Sequence, residues 1–456
     1  MKKRCTALLL IWLLCSGLAW AGEFADLETG LVRWLKANRD PAVGLPYSHV
    51  GDARFSGWTF TYDAAVTALA WLAVGETREA RRIVDFYLRT PEIRRLGGVI
   101  EAVSFTEGRP VGRDWSVRSG ANLWLGLAAG HLYRRTGEEA YLQLARCIAD
   151  AALTLQEKRR ENPNHGGIAM GPPGDPANPK DQHFNYEPAL PRYADSYATE
   201  INLDAYALFG LLAAETDAES YRKGRAEVLG WLERQGFNAV EKRFNRGFGD
   251  ATVATDVQSW GVSALGREVL DTFAPHATHA VLGYVEKHCR VRVPISGSQD
   301  WVEGVDFINH AHAAALGRPP LISPEWTFQL VNAWQRLSVD AAGRGESEAA
   351  REYAEKGRHL LRQMAKLAVP VGNTLGFPYA TMPDALLGHE NRTPAAGNLS
   401  AIGAAYGLLA LRGFDPLGDF SPLRKPGRSD ERTAFGGWRA AGNFVSMPLD
   451  SLGSSE

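Results

Sequence analysis

The sequence predicts an all-α fold, a closed ring of six helical hairpins of the (α/α)6 toroid type. The main support is a repeat in which a short polar turn joins an apolar helix to an amphipathic one, at 75–80, 137–141, 216–221 and 345–349. In addition, segments with β-type alternation are scarce. Only short strands are therefore expected, in loops such as Val99–Phe105 and Gly376–Ala380.

The apolar helix of each hairpin should line the inside of the ring, because it is hydrophobic on every side. The predicted inner helices are Tyr62–Val74, Ser119–Arg135, Thr199–Glu215, Thr255–Leu265, Pro324–Ala342 and Gly397–Leu411. Their predicted outer partners are Thr77–Leu88, Glu138–Leu155, Ala218–Gln235, Glu268–His288 and Ser347–Leu367. The helix near Ala25–Asn38 supplies the twelfth member, beside the last inner helix.

The chain is expected to form one domain, over residues 22–417, between two segments of different character. Residues 1–21 have the basic start, short apolar run and A-x-A site of a secretory signal peptide, which predicts export to the periplasm or beyond the cell. Residues 418–456 are polar and rich in Gly and Ser, and we expect a partly disordered tail. Cys147 and Cys289 remain after processing and are expected to be free, buried thiols. The net charge of −2 gives no indication of a nucleic acid or a membrane surface as partner.

The loops differ strongly in length on the two sides of the predicted ring. Connections from an outer to an inner helix are long and rich in Gly, Pro, Trp, His and Asp. They cover 39–60, 90–118, 157–198, 236–254, 290–323 and 368–396. In an alternating ring these loops share the rim at which the inner helices begin, so a cleft is expected there. The segment 157–198 is the candidate lid.

Carboxylates and aromatic residues recur where the inner helices start. Asp63, Glu200, Asp256 and Glu325 occupy first turns, where an acid also stabilises the helix dipole. For any single one of these acids, stabilisation of the helix is as good an explanation as a functional role, but their recurrence favours a functional cleft. The candidate binding residues around them are Trp58, Tyr62, Trp115, Arg118, Asn122, Tyr193, Asn202, Asp204, Trp260, Trp301, Glu303 and Trp326.

Glycosidic bond cleavage needs such residues. One carboxylic acid protonates the leaving oxygen, a second carboxylate activates water or attacks the anomeric carbon, and aromatic faces hold the sugar rings. We expect Glu200 to be the general acid and Asp256 the base, with Asp63 and Glu325 in support. No cofactor is expected.

Four stretches resemble a known group: Phe60–Asp63, Thr199–Asp204, Thr255–Trp260 and Pro324–Gln329. They are similar to the six-hairpin glycosidase-type toroids of exported bacterial carbohydrate-active proteins. The resemblance implies a carbohydrate ligand, but it does not identify the catalytic acid. Related toroids often carry Glu-Gly-Thr at the start of an inner helix, whereas this chain has Glu325-Trp326-Thr327. Glu303 is therefore a rival to Glu325.

Two other functions stay open at this point. A polysaccharide lyase on the same scaffold would use His165, His183, Tyr186 and Tyr193, with Arg113, Arg118 and Arg192 to neutralise a uronate. A glycan-binding or polysaccharide-assembly protein would keep the ring without the acid pair. A metal site at Asp306, His310 and His312 is the weaker interpretation, since His residues in such loops are more often packed.

Overall fold

Six helical hairpins close into a ring in the computed structural model, which describes residues 22–174, 192–295, 297–388 and 391–418. The inner helices are α2 (Thr61–Ala73), α4 (Ser119–Thr136), α6 (Thr199–Thr216), α8 (Thr255–Phe273), α11 (Pro324–Gly343) and α13 (Ala401–Arg412). The outer helices are α1 (Ala25–Ala37), α3 (Thr77–Arg89), α5 (Glu139–Thr154), α7 (Glu219–Trp231), α9 (Ala277–His288) and α12 (Ser347–Ala365). A short helix, α10 (His310–Ala315), lies in the loop before α11.

Contacts between the inner helices close the ring. Each inner helix packs on the next one in the chain, and α13 packs on α2. Helix α1 packs on α13 and so completes the outer layer at the predicted place. The (α/α)6 toroid is thereby confirmed. Large side chains fill the space between the helices, including the fully buried Trp34, Trp71 and Trp334.

Local features altered two of the predicted helices. The outer helix expected over Glu268–His288 is interrupted: a helical segment follows Gly266 and ends at Phe273, and α9 then begins at Ala277, because Ala274 is extended and Pro275 cannot continue a helix. Gly266, with φ of 66°, breaks α8 where the inner helix was expected to end. The last inner helix starts at Ala401 rather than Gly397, since the Ser400 side chain accepts the Gly403 N–H and caps it.

Short antiparallel strands occupy the loops. The sheet of three strands joins β2 (Thr59–Phe60), β5 (Ala102–Thr106) and β6 (Arg109–Asp114). The paired strands are β1 (His49–Val50) with β15 (Leu399–Ser400), β3 (Arg94–Arg95) with β4 (Gly98–Val99), β7 (Phe237–Asn238) with β8 (Arg243–Phe244), β9 (Arg290–Pro294) with β10 (Trp301–Val305), β11 (Val369–Val371) with β12 (Thr374–Gly376), and β13 (Leu386–Gly388) with β14 (Asn391–Arg392). The pairing of β1 with β15 joins the first long loop to the last.

A recurring backbone contact ties the long loops into one rim. The N–H of the first residue of an inner helix has no partner within the helix. Here it donates to a carbonyl in a neighbouring long loop at five starts. The pairs are Thr61 to Glu101, Ser119 to Met170, Thr199 to Arg246, Thr255 to Phe307 and Ala401 to Ser48, all between 2.8 and 3.0 Å. The loops that form the rim are therefore held at fixed positions next to the inner-helix starts.

Cys147 and Cys289 are free thiols. Of the helices in the described ranges, none combines the length and the apolar character needed to cross a membrane. The predicted signal peptide and all of the predicted tail except Gly418 lie outside the described residues.

Candidate functional site

A cavity of about 340 Å³ lies at the rim that carries the long loops. Glu200, in the first turn of α6, and Asp256, in the first turn of α8, line it together. The other walls include Arg246, Phe307, His312, Trp326, Tyr379 and Arg392. The cavity therefore lies where the asymmetry of loop lengths predicts a cleft.

Five carboxyl groups from four inner helices form one electrostatic cluster. Glu200 and Asp256 both act on Asp204, and Asp256 and Asp63 both act on Glu325. Burial raises the pKa of all five above the usual range, because a low-dielectric interior disfavours the charged form. The structure thus brings together the acidic residues that the inner-helix starts predict.

Glu200 and Asp256 are the two carboxyl groups that face the cavity. Asp256 is 6% exposed, and burial, followed by the charge of Glu200, raises its pKa well above the usual carboxyl value. Burial also raises the pKa of Glu200, but Arg246 and Arg118 oppose this shift, and the side chain stays partly exposed. Interacting carboxyl groups lose their protons in separate steps. There is therefore a pH range in which one member is protonated and the other is ionised.

Glu325 is held in a hydrogen-bonded group next to this pair. Its Oε1 accepts the Tyr62 hydroxyl at 2.9 Å and the Gln329 amide at 3.1 Å. The Tyr62 hydroxyl is also 3.2 Å from the Tyr406 hydroxyl. Burial raises the pKa of Glu325 to about 8, although the Tyr62 hydrogen bond lowers it. Glu325 is therefore mostly protonated at pH 7.

Asp63 and Asp204 are the other two buried carboxyl groups of the cluster. Burial raises the pKa of Asp63 to about 7, while a hydrogen bond with Ser48 opposes the shift. Asp204 is 1% exposed, and its Oδ1 has no hydrogen-bond partner among the described residues. The indole N–H of Trp124 lies outside hydrogen-bond geometry but close enough to lower the pKa of Asp204. Neither residue lines the cavity itself.

Aromatic rings surround the carboxyl cluster in two groups. Within the ring of helices, Trp124 packs on Tyr62, Trp260 and Tyr406, with centroid distances of 5.6, 5.4 and 6.2 Å. Along the rim, a chain of neighbouring rings runs through Trp58, Phe55, His49, Tyr379, Phe307 and Trp326. Four of the predicted aromatic residues thus belong to these two groups.

The predicted residues Trp115, Arg118 and Tyr193 form a neighbouring group near the start of α4. The Arg118 guanidinium lies 5.4 Å from the centre of the Tyr193 ring and 4.0 Å from the Glu101 carboxylate. Trp115 packs on Gly112, where any Cβ would collide with its indole. Arg118 also lowers the pKa of Glu200, which places this group beside the cavity.

No protein-family model and no curated protein matches the sequence, but solved structures do match the fold. A cellobiose 2-epimerase from Bacillus thermoamylovorans has a TM-score of 0.58 at 12% identity, covering 86% of this chain and 99% of its own. A GH76 α-mannanase from Bacteroides thetaiotaomicron has a TM-score of 0.54 at 11% identity, covering 88% and 95%. An unsaturated glucuronyl hydrolase specific for heparin has a TM-score of 0.55 at 10% identity, covering 87% and 96%. The chain has the six-hairpin glycosidase-like fold. At these identities the similarity establishes the fold alone.

Within this six-hairpin scaffold, Asn122 and Asn202 need correction as binding residues. The Asn202 amide accepts the Ile168 N–H and donates to the carbonyls of Ile168 and Ala198. Asn122 bonds Val99 and Arg118 in the same way, and both side chains are buried. These side chains hold the long loops against the inner helices and leave no amide group for a ligand.

Trp301 and Glu303 also need correction, because the hairpin of β9 and β10 lies against an outer helix. Glu303 accepts hydrogen bonds from Arg290 at 2.6 Å and from His359 of α12 at 3.1 Å. Trp301 is 46% exposed, and Lys366 donates to its carbonyl. Glu303 therefore lies apart from the carboxyl cluster that contains Glu325 and is not a rival to it.

Of the residues proposed for a lyase, Arg118 and Tyr193 are in contact, whereas His165 and Arg113 have other partners, and the residues proposed for a metal do not form a site in the described ranges. His165 lies in a turn whose carbonyl accepts Arg234, and Arg113 bonds Ser104, while His183 and Tyr186 fall outside the described residues. Residues 175–191 of the candidate lid do so as well. Asp306 accepts both Arg318 terminal nitrogens, at 2.6 and 2.8 Å, and His310 bonds a backbone carbonyl instead. Across the described residues there is no group of three or more metal-ligating side chains.

Sequence reasoning missed several residues of the cavity, namely Arg246, Phe307, Tyr379 and Arg392, and it considered His312 only for a metal. All of them come from the long loops and α10, where no helical period indicates which side chains point inward. The one available signal was their position in loops already expected to form the rim.

Proposed function

We propose that this protein is an exported glycoside hydrolase that cleaves an oligo- or polysaccharide with Glu200 and Asp256. The observation that supports this best is the pair of interacting carboxyl groups in one cavity, next to aromatic rings. Solved relatives in fold include an α-mannanase and a glucuronyl hydrolase, which agrees with a sugar as substrate. Export rests on the sequence of residues 1–21.

The two carboxyl groups divide the chemistry according to their surroundings. Asp256 is more deeply buried and holds its proton, so it is the general acid for the leaving oxygen. Glu200 is partly exposed beside Arg246 and Arg118, which stabilise its ionised form, so it activates water or attacks the anomeric carbon. This assignment reverses the roles that the sequence suggests.

Substitution of each residue tests the assignment. We expect Asp256→Asn and Glu200→Gln each to lower kcat on a polysaccharide about 10²–10⁴-fold with an unchanged helical signal. On an aryl glycoside whose leaving group needs no proton, Asp256→Asn should recover most of its activity and Glu200→Gln should not. Glu303→Gln, on the outer face, is the matched control. Near-full activity of both cavity variants would contradict the proposal.

Sugar epimerisation is a second candidate, and His312 in the cavity wall is the observation that favours it. An imidazole is a common base for removing a proton beside a carbonyl group. A cellobiose 2-epimerase and a D-mannose isomerase share this fold. Uptake of solvent deuterium at a sugar carbon, with no chain cleavage, would favour epimerisation over hydrolysis.

A further inference from the structure

Arg246 lies in the cavity wall, but it neither donates nor accepts a proton in the proposed acid–base chemistry. The Arg246 side chain donates no hydrogen bond to any residue in the described ranges. Its ion-pair partner there, Asp250, is 3.7 Å away, longer than a direct hydrogen bond. A guanidinium has five N–H donors in a planar fork. Arg246 therefore has donors available for a ligand in the cavity that it lines.

Arginines that serve the fold are bonded differently in the same structure. Arg243, in the same loop, donates to the carbonyls of Phe244 and Ala251 and to the Asn245 side chain. Arg318 donates two short hydrogen bonds to Asp306. In contrast to these two arginines, the Arg246 side chain makes no hydrogen bond to the described residues.

The backbone of Arg246 is fixed next to the reacting carboxyl groups. Its N–H donates to the Thr252 carbonyl at 3.1 Å, and its carbonyl accepts the Thr199 N–H at 2.9 Å. Thr199 immediately precedes Glu200. The guanidinium is thus carried by a loop position that is tied to the start of α6, and little ordering is needed before it can bind.

The charge of the cavity wall favours an anion. Among the residues that line the cavity, with Asp256 protonated, Glu200 supplies one negative charge and Arg246 and Arg392 supply two positive charges; Asp250, the ion-pair partner of Arg246 at 3.7 Å, is not among the lining residues. Arg392 uses one N–H for the Asp384 carbonyl and is otherwise exposed. A neutral sugar needs no such excess, but a carboxylate or a sulfate ester matches a guanidinium fork.

We infer that the cleft binds an anionic saccharide and that Arg246 holds its carboxylate or sulfate group. This inference rests on the proposed glycoside hydrolase function, whose substrate class it narrows.

Equilibrium binding separates this inference from the hydrolysis itself. The protein carries Asp256→Asn, which prevents turnover and replaces a protonated acid with a neutral amide. The probes are β-1,4- and α-1,4-glucotrioses in three forms: unmodified, oxidised at C6 to carboxylates, and sulfated at C6. Titration calorimetry at low salt is then repeated with Arg246→Gln, with Arg246→Lys, and with Arg222→Gln as the control. Arg222 is on the outer helix α7, where it pairs with Asp217 and Glu219.

We expect at least one anionic form to bind at least tenfold more tightly than the neutral trisaccharide, with an affinity that falls as salt rises. Arg246→Gln should abolish that preference, Arg246→Lys should keep part of it, and Arg222→Gln should leave it unchanged. Preference for the carboxylate or for the sulfate form identifies the group. Equal binding of the three forms, no binding at all, or an equal loss for neutral and anionic probes in Arg246→Gln would overturn the inference. A clear anionic preference in Asp256→Asn, together with no hydrolysis of any saccharide by the protein with native Asp256, would instead refute the hydrolase proposal.

Discussion

Glu325→Gln should make the protein more stable at neutral pH, because the native side chain has to keep its proton. The amide can accept the same hydrogen bonds from Tyr62 and Gln329 at its oxygen. In the unfolded chain Glu325 ionises near its ordinary pKa of 4.5, whereas in the native state burial raises the pKa to about 8. The unfolded state therefore binds fewer protons than the native state between these values, and stability falls as pH rises through this range.

The size of the effect follows from the pKa difference. One pKa unit corresponds to about 1.4 kcal/mol, so the native carboxyl group costs about 3 kcal/mol at pH 7 and close to nothing below pH 4.5. Glu325→Gln removes this pH-dependent term. The change in free energy of unfolding caused by the substitution should thus be about 3 kcal/mol more favourable at pH 7 than at pH 4.5.

Urea denaturation of both proteins at the two pH values measures this difference. Glu303→Gln is a control of opposite sign. Partial burial raises the pKa of Glu303, but hydrogen bonds from Arg290 and His359 outweigh burial and hold it below the usual value. Its ionised form therefore stabilises the native state above the unfolded pKa, and this contribution is lost as pH falls through the folded pKa. Glu303→Gln should then destabilise more at pH 7 than at pH 4.5. If Glu325→Gln changed stability equally at both pH values, the account of a buried, protonated Glu325 would be wrong.

Two further predictions concern Asn202, which does not line the cavity, and Trp326, which does. Asn202→Ala should lower the free energy of unfolding by about 3 kcal/mol, because it leaves the buried N–H and carbonyl of Ile168 unpaired, while kcat of the folded fraction stays unchanged. A large loss of kcat at full folding would contradict the loop-holding role. Trp326→Ala should raise KM at least tenfold, because the Trp326 ring lines the cavity. Trp301→Ala, on the outer face, is the control and should leave KM unchanged. Equal effects of the two substitutions on KM in steady-state kinetics would contradict the placement of these residues.

The sequence predicted the ring because its signals are local and repeated. Polar turns at regular intervals and helices apolar on every side determine the hairpins, and loop asymmetry determines which rim is the functional one. The first-turn acids Asp63, Glu200, Asp256 and Glu325 could be predicted as neighbours for the same reason. The packing of α13 on α2 follows once six hairpins are counted, because the last inner helix then lies next to the first.

The remaining errors came from contacts between segments far apart in the chain. Asn122 and Asn202 have the chemistry of ligand-binding residues, but hydrogen bonds to the long loops use both amides. Glu303 lies two residues after Trp301 in a loop expected at the rim, but the hairpin that carries both residues packs on the outer helix α12. The roles of Glu200 and Asp256 depend on which of them is more deeply buried and on the arginines that act on each of them. Periodicity in a sequence contains no information on these points.

Reaction of the wild-type protein with a panel of polysaccharides in water enriched in oxygen-18 tests the central proposal most directly. Mass spectrometry of the products gives the result. Hydrolysis by Glu200 and Asp256 predicts that each new reducing end gains one oxygen-18 atom, and that both Glu200→Gln and Asp256→Asn suppress this product. Products with an ultraviolet-absorbing double bond and no label, or saccharide binding without any cleavage, would contradict it.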